Sequence, residues 1–165
     1  MRSRNRSCIA FSFSRRSALR AWREVGEWVR ATAAVSRLRR SRLGFLGHTY
    51  PGMLDLYSDF TQHHAQLGVH VEVLEMCDLA ARLPKAGERA VSAKLRETKT
   101  VFELSKDSPA ERLARAPAPD QLQWACRVAV ALDRLVADFD LGGLAYYYRG
   151  LAGNEYERLA AGLIL

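Results

Sequence analysis

Three short apolar segments alternate along the chain with longer segments of helical periodicity, and this alternation limits the possible folds more than any other feature. The apolar segments cover residues 43–47, 69–74 and 142–148. Strands that alternate with helices form βαβ units, in which the strands run parallel. The sequence therefore predicts an α/β domain with a parallel sheet of about three visible strands. Because sheets usually have roughly four to six strands and the last helix is still apolar at Leu165, we expect an incomplete domain.

The segments between the predicted strands are expected to be helices, from their apolar periodicity and their capping residues. Gly68 should end the second helix, and Asp120 with Gln123 should cap the helix before the third strand. That helix is expected to bury a single apolar stripe. The members of the stripe are Leu122, Ala125, Cys126, Ala129, Leu132 and Val136. The predicted helices cover residues 17–40, 54–66, 77–83, 86–104, a short segment from 108, residues 120–139, and a last segment from 154.

The positive charge of the chain is concentrated near its amino-terminal end. The whole sequence has a formal net charge of +7, but residues 1–42 contain 12 arginines and two glutamates, whereas residues 43–165 are slightly acidic. A nucleic-acid-binding domain carries its basic residues on the folded surface. The sequence therefore favours an arginine-rich, solvated helix face after a disordered or non-native head at 1–16, and no nucleic-acid partner.

Cysteine and hydropathy patterns narrow the class of protein further. Cys8, Cys77 and Cys126 are odd in number and form no C-x-x-C pair, which argues against a disulfide framework and a zinc site. No apolar run reaches the roughly 18 residues that a membrane span requires, and no signal-peptide pattern is present. We therefore expect a cytoplasmic protein with reduced thiols and no membrane partner.

Polar and aromatic residues follow the first and third predicted strands. The two loops contain His48, Thr49 and Tyr50, and then Tyr147, Tyr148 and Arg149. Ligands of α/β sheets bind beyond the carboxyl ends of the strands, and aromatic rings with hydroxyl groups and an arginine suit a sugar. Tyrosines that only alternate between the core and the surface of a strand explain the same pattern equally well.

Other polar pairs give little support for a metal or catalytic centre. His63 and His64 are adjacent on a predicted helix, where neighbouring side chains point about 100° apart and cannot share one metal ion. Asp55 and Asp59 are spaced to form a carboxylate pair on one helix face, but acids in a first turn more often stabilise the helix dipole. The sequence has no dinucleotide fingerprint, no P-loop and no G-x-S-x-G motif.

Seven short segments carry a further signal in their order along the chain. They are WREVGEWVR at 22–30, GFLGHTYPGMLD at 44–55, YSDFT at 57–61, LEMCDL at 74–79, DFDL at 138–141, LAYYYRG at 144–150 and NEYER at 154–158. Together they resemble the middle domain of the L-arabinose isomerase and L-fucose isomerase-like family of sugar isomerases, over roughly residues 17–165.

The resemblance implies a Rossmann-like, three-layer α/β domain at 17–165, truncated at its C-terminal end, and aldose–ketose isomerisation through an ene-diol. It further implies a sugar substrate, Mn²⁺ as the cofactor, and a homo-oligomer with active sites between subunits. The family's first domain and metal-binding residues have no counterpart here, so we expect a fragment that is inactive without the missing domains. The resemblance assigns substrate contacts to Tyr50, His48, Tyr147, Tyr148 and Arg149, and no catalytic or metal-binding residue.

Two other interpretations of the sequence stay open. The first is a noncatalytic α/β module that binds a sugar or a protein partner and has kept the fold without the chemistry. The second is a nonfunctional truncated product, which the arginine- and serine-rich start of the chain and the apolar final helix favour.

Overall fold

The computed structural model describes residues 15–49, 52–53, 57–104, 107, 116–147 and 153–164. The chain divides into two compact units, Met1–Leu38 and Arg39–Leu165. The described part of the first unit is a helix, α1 (Arg15–Leu38). The described part of the second unit contains a sheet with helices around it, and the residues predicted to bind substrate belong to this unit.

Strands and helices alternate in the second unit as the sequence predicts. The strands are β1 (Arg42–Leu46), β2 (His70–Leu74) and β3 (Gly143–Tyr146), and the helices are α2 (Phe60–Leu67), α3 (Met76–Ala80), α4 (Glu88–Val101), α5 (Pro119–Asp138) and α6 (Glu157–Ile164). Both strand pairs are parallel, and β1 lies between β2 and β3. The prediction of an α/β domain with a Rossmann-like parallel sheet is therefore confirmed.

The two faces of the sheet are covered by different helices. Side chains alternate along a strand, so Leu46 and Phe45 of β1 point to opposite faces. Leu46 is fully buried in the core cluster that includes residues of α5. On the other face, the ring of Phe45 lies 5.1 Å from the ring of Phe60 in α2. Helices on both faces of a parallel sheet give the three-layer arrangement.

Helix α5 buries residues on more sides than the one apolar stripe that the sequence predicts. The stripe residues Leu122, Ala125 and Cys126 are buried, but the fully buried residues of this helix are Val128, Ala131 and Leu135, which lie outside the stripe. The reason is that α5 packs in two directions. Val128, Ala131 and Leu135 face a core formed with the sheet, α3 and α6, whereas Cys126 and Val130 face a second core with Val91 of α4. The prediction of a single buried stripe is therefore too narrow.

Helix α2 begins later than predicted, at Phe60 instead of residue 54. Asp59 is its N-cap, because the Asp59 carboxylate accepts hydrogen bonds from the backbone N–H groups of Thr61, at 2.8 Å, and Gln62, at 3.2 Å. Residues 57–59 are therefore outside the helix, and residues 54–56 lie outside the described residues. The predicted end is confirmed, because Gly68 has φ 74° and its N–H donates to His64 O.

Replacing Asp59 with asparagine is expected to make the second unit less sensitive to acid. A hydrogen bond from the Thr61 hydroxyl, followed by the two backbone N–H groups, holds the pKa of Asp59 below its usual value. Such a carboxylate stabilises the fold above its unfolded pKa of about 3.9, and the contribution is lost as the pH falls through the lower folded pKa. Asparagine still caps the helix but does not titrate, so Asp59→Asn should lose less stability on acidification than the unchanged protein.

Urea unfolding at neutral pH and at several acidic pH values measures this difference. Asp140→Asn is the matched control, because Asp140 is an exposed aspartate outside α2 with φ 51°, a conformation that asparagine also adopts. The control should follow the pH profile of the unchanged protein. Equal acid sensitivity of Asp59→Asn and the unchanged protein would show that the charge of Asp59 does not stabilise the fold.

Helix α5 also begins differently from the prediction. Asp120 and Gln123 were expected to cap it, but its N-cap is Ala118 and Pro119 is the first helical residue. Proline suits that position because its missing N–H would have no partner there. The Oε1 atom of Gln121 accepts from the Ala118 N–H at 3.0 Å. The short helix predicted from 108 lies outside the described residues.

The remaining helix bounds lie close to the predicted ones. Helix α3 covers a shorter stretch than 77–83, because Pro84 lies in a separate 3₁₀ turn at Leu83–Lys85. Helix α6 begins at Glu157, three residues after the predicted start at Asn154, whose side chain accepts from the Tyr156 N–H at 3.0 Å. No helix in the described part of the chain is long and apolar enough to cross a membrane.

Candidate functional site

The strand order places a topological switch point between β1 and β3. The chain passes from β1 to β2 on one side, and then crosses back over β1 to form β3 on the other side. Connections that leave neighbouring strands in opposite directions open a crevice at the carboxyl ends of those strands, where α/β proteins bind their ligands. The residues that follow β1 and β3 are therefore the first candidates for a binding site.

The chain segments after β1 and β3 lie side by side at this crevice. The backbone N–H of Tyr147 donates to Leu46 O at 3.0 Å, and the N–H of Gly47 donates to Leu74 O at 2.9 Å, so both segments are bonded to neighbouring strands. Gly47 has φ 86°, and a Cβ atom there would lie 3.4 Å from Tyr147 Cβ. Glycine at this position therefore permits both the left-handed turn and the close approach of Tyr147.

His48 is exposed beyond the end of β1, where its ring is oriented by a local hydrogen bond. Its Nδ1 atom lies 2.8 Å from Thr49 O and 3.3 Å from Thr49 Oγ1. Because a carbonyl oxygen can only accept, Nδ1 carries the hydrogen atom and donates to Thr49 O. In the neutral imidazole, the second ring nitrogen, Nε2, is then an acceptor for the hydroxyl group of a ligand.

Two of the five predicted substrate contacts can be located in the described residues. His48 and Tyr147 lie on either side of the switch point, at the ends of adjacent strands. Tyr50, Tyr148 and Arg149 lie outside the described residues, so their assignment stays a prediction. The sequence thus brings together, at one edge, an imidazole and an aromatic residue.

The carboxyl end of β2 adds residues that the sequence analysis did not select. Cys77 is exposed in α3, which begins two residues after β2. Tyr156, which directly precedes α6, packs against the core cluster that contains Met76 and Leu79 of α3, and a hydrogen bond to Glu155 raises the pKa of Tyr156. The position of Cys77 just after a strand was a signal that could have identified it. No sequence signal places Tyr156 against this cluster, because it arrives through the packing of α6.

The edge of the sheet at which the three strands end, here called the carboxyl edge, suits an uncharged, hydroxyl-rich ligand better than an anion or a metal ion. The described side chains that follow β1 and β3 there are an imidazole, a threonine hydroxyl and a tyrosine, those of His48, Thr49 and Tyr147. In the described part of the chain, no group of three or more histidine, cysteine, aspartate or glutamate side chains lies close enough to hold a metal ion. The described residues therefore do not fit the Mn²⁺ that the family resemblance implies, and no step through a metal is assigned to them.

The other three histidines contact residues elsewhere in the domain. His64 Nδ1 lies 3.1 Å from Val69 O, next to the end of α2. His70 Nε2 lies 3.2 Å from the Glu72 carboxylate, at the amino-terminal edge of the sheet, and Arg42 forms an ion pair with the same carboxylate. His63 lies against the face of the sheet that α2 covers. These residues therefore belong to different parts of the domain.

A groove also lies on that face of the sheet, but it does not suit a sugar. It has a volume of about 390 Å³ and is lined mainly by apolar residues, among them Leu43, Phe45, Phe60 and Val71. Ser58 and His63 are the lining residues with polar side chains. A sugar needs several hydrogen-bonding groups around its ring, so the carboxyl edge remains the better candidate.

Comparison with known proteins gives no assignment for this chain. No protein-family model matches the sequence, and no curated protein matches it.

Proposed function

We propose that the carboxyl edge of the sheet binds a sugar, and that the chain forms one wall of the substrate pocket of an aldose–ketose isomerase for L-arabinose- or L-fucose-like sugars. The observation that supports sugar binding is the position of His48 and Tyr147 on either side of the switch point between β1 and β3. The isomerase assignment rests on the ordered segments of family-like sequence.

The proposed role of the chain is to bind and orient the sugar. The ring of Tyr147 would pack against the C–H face of the sugar, and Nε2 of His48 would accept from a hydroxyl group. Tyr50, Tyr148 and Arg149 would add contacts from the same two loops. The ene-diol chemistry and the Mn²⁺ site would come from parts of the enzyme outside this chain, so the chain alone should bind sugar without converting it.

His48→Ala is expected to weaken sugar binding by about tenfold, because it removes one hydrogen bond that the ligand makes to an oriented acceptor. The measurement is a titration of the ¹⁵N-labelled full chain with L-arabinose and with L-fucose, followed by backbone amide shifts. Saturable shifts should appear at residues 47–49 and at Tyr147. Tyr50→Ala should also reduce affinity, because the family resemblance places it against the sugar.

The matched control for this variant is His70→Ala. His70 is also an exposed histidine at the end of a strand, but it lies at the amino-terminal edge, beside Glu72. Its replacement should leave sugar affinity unchanged. Equal losses from His48→Ala and His70→Ala, or the absence of saturable binding to either sugar, would refute binding at the carboxyl edge.

The competing function is a noncatalytic α/β module that binds a sugar without converting it, and the lack of a metal-ligand cluster in the described residues is expected under both proposals. The two proposals differ in what should be encoded beside the chain. Finding the missing first domain and metal-binding segment in the flanking DNA would support the isomerase. Saturable sugar binding without those neighbours would support the module, and failure to bind any sugar would support a nonfunctional product.

A further inference from the structure

Helix α1 presents a wide apolar face to solvent. Four large side chains on this face are exposed: Trp22 and Trp28 by 73 % each, Val29 by 61 % and Val25 by 49 %. At about 100° of rotation per residue, these four positions fall within about 120° of the helix circumference. We call this set the tryptophan face of α1. A contiguous exposed apolar surface of this kind usually marks an interaction site.

The opposite face of α1 is strongly basic. The helix contains six arginines and two glutamates, a net charge of +4. Arg20, Arg23 and Arg30 lie about 140–160° from Val25 around the helix axis. Arg20 forms an exposed ion pair with Glu24 at 3.2 Å.

The charge of α1 favours one of the three kinds of partner that could cover the tryptophan face. A second copy of the chain would bring two helices of charge +4 together, which like-charge repulsion opposes. A nucleic acid would neutralise the arginines but would leave the apolar face in water. An anionic bilayer surface satisfies both faces, because tryptophan is favourable at the boundary between headgroups and acyl chains and arginine is attracted to lipid phosphates.

We propose that α1 binds an anionic lipid surface, lying parallel to it with the tryptophan face inserted into the interface. This inference goes beyond the proposed sugar binding, which concerns the second unit. It also departs from the sequence-based expectation of no membrane partner. That expectation rested on the lack of a spanning segment, and a helix that lies in the interface does not need one.

Co-sedimentation of the full chain with large unilamellar vesicles tests this proposal. Vesicles of equal parts phosphatidylserine and phosphatidylcholine should bind the chain, and pure phosphatidylcholine vesicles should bind it at least about tenfold more weakly, because several arginines lose their attraction. Val25→Asp places a charge in the centre of the tryptophan face. Its affinity for the anionic vesicles should fall by about fiftyfold, from the added negative charge and the lost apolar contact.

Ala34→Asp is the matched control, because Ala34 is also exposed and lies half a turn around the helix from Val25. It makes the same change in net charge on the basic face, so it should weaken binding by only about fivefold. Circular dichroism should show equal helix content for both variants. Three results would each overturn the proposal: no binding to anionic vesicles, equal losses from the two variants, or self-association without lipid that Val25→Asp abolishes.

Discussion

Leu135→Ala is expected to reduce the free energy of unfolding of the second unit by about 3–4 kcal/mol. Leu135 is 0 % exposed, in the last turn of α5. It belongs to the core cluster that joins Leu46 of β1, Leu74 of β2 and Leu159 of α6. Shortening it removes apolar contacts and leaves a cavity at the junction of the sheet with two helices, where the surrounding strands and helices can close the gap only in part.

Urea unfolding monitored by circular dichroism measures this loss. Leu67→Ala is the matched control, because Leu67 is 50 % exposed at the end of α2. The same change in side chain should cost less than about 1 kcal/mol there, since little apolar surface is lost from contact. A loss for Leu135→Ala no larger than that for Leu67→Ala would show that α5 is not the centre of the core.

The fold was predictable from the sequence because each strand signal is local. The segments that became β1 and β2 are short and bounded by glycine or charged residues, so their length and their boundaries separate them from the helices. The burial of α5 was not predictable in the same way. Which sides of a helix are covered depends on how many elements meet it, and Val128 is fully buried where Gly162 of α6 packs against it.

The two ends of helix α2 also differ in how well the sequence predicts them. Gly68 predicts the end of α2 correctly, because a left-handed residue after a helix is set by the glycine itself. The start was placed too early, because Asp55 and Asp59 were both interpreted as acids within the helix. Hydrogen bonds from the residues after Asp59 make it the N-cap instead.

The candidate site was predictable where its residues directly follow a strand. His48 and Tyr147 lie next to β1 and β3, so the parallel arrangement alone brings them to one edge. Tyr156 lies just before α6 and does not directly follow a strand. Its packing against the core cluster depends on the docking of α6 against α5, which no local pattern specifies.

The second large effect is expected from Gly162→Ala in α6. Alanine favours a helix over glycine by about 1 kcal/mol, so local propensity alone predicts stabilisation.

The packing around Gly162 predicts destabilisation instead. A Cβ atom at Gly162 would lie 2.6 Å from Val128 Cγ2 and 3.0 Å from Val128 Cβ. Val128 is 0 % exposed, and its β-branched side chain has few alternative rotamers in a helix. Helix α6 would therefore have to move away from α5, and we expect a net loss of about 2 kcal/mol in the free energy of unfolding.

Gly87→Ala is the control for the glycine change, because no atom lies within 4 Å of a Cβ atom built at Gly87. Its φ of −64° is also accessible to alanine. That variant should change stability by less than about 1 kcal/mol.

A double-mutant cycle with Val128→Ala separates the steric cause from any other effect of Gly162→Ala. Val128→Ala alone should cost about 2 kcal/mol, from the loss of buried methyl groups. In the double variant, the shorter side chain at 128 makes room for the methyl group at 162. The combined loss should therefore be smaller than the sum of the two single losses by at least about 1 kcal/mol. Strict additivity would mean that Gly162 and Val128 are not in contact and that α6 packs elsewhere. A shortfall of the expected size would establish the α5–α6 contact at Gly162 and Val128.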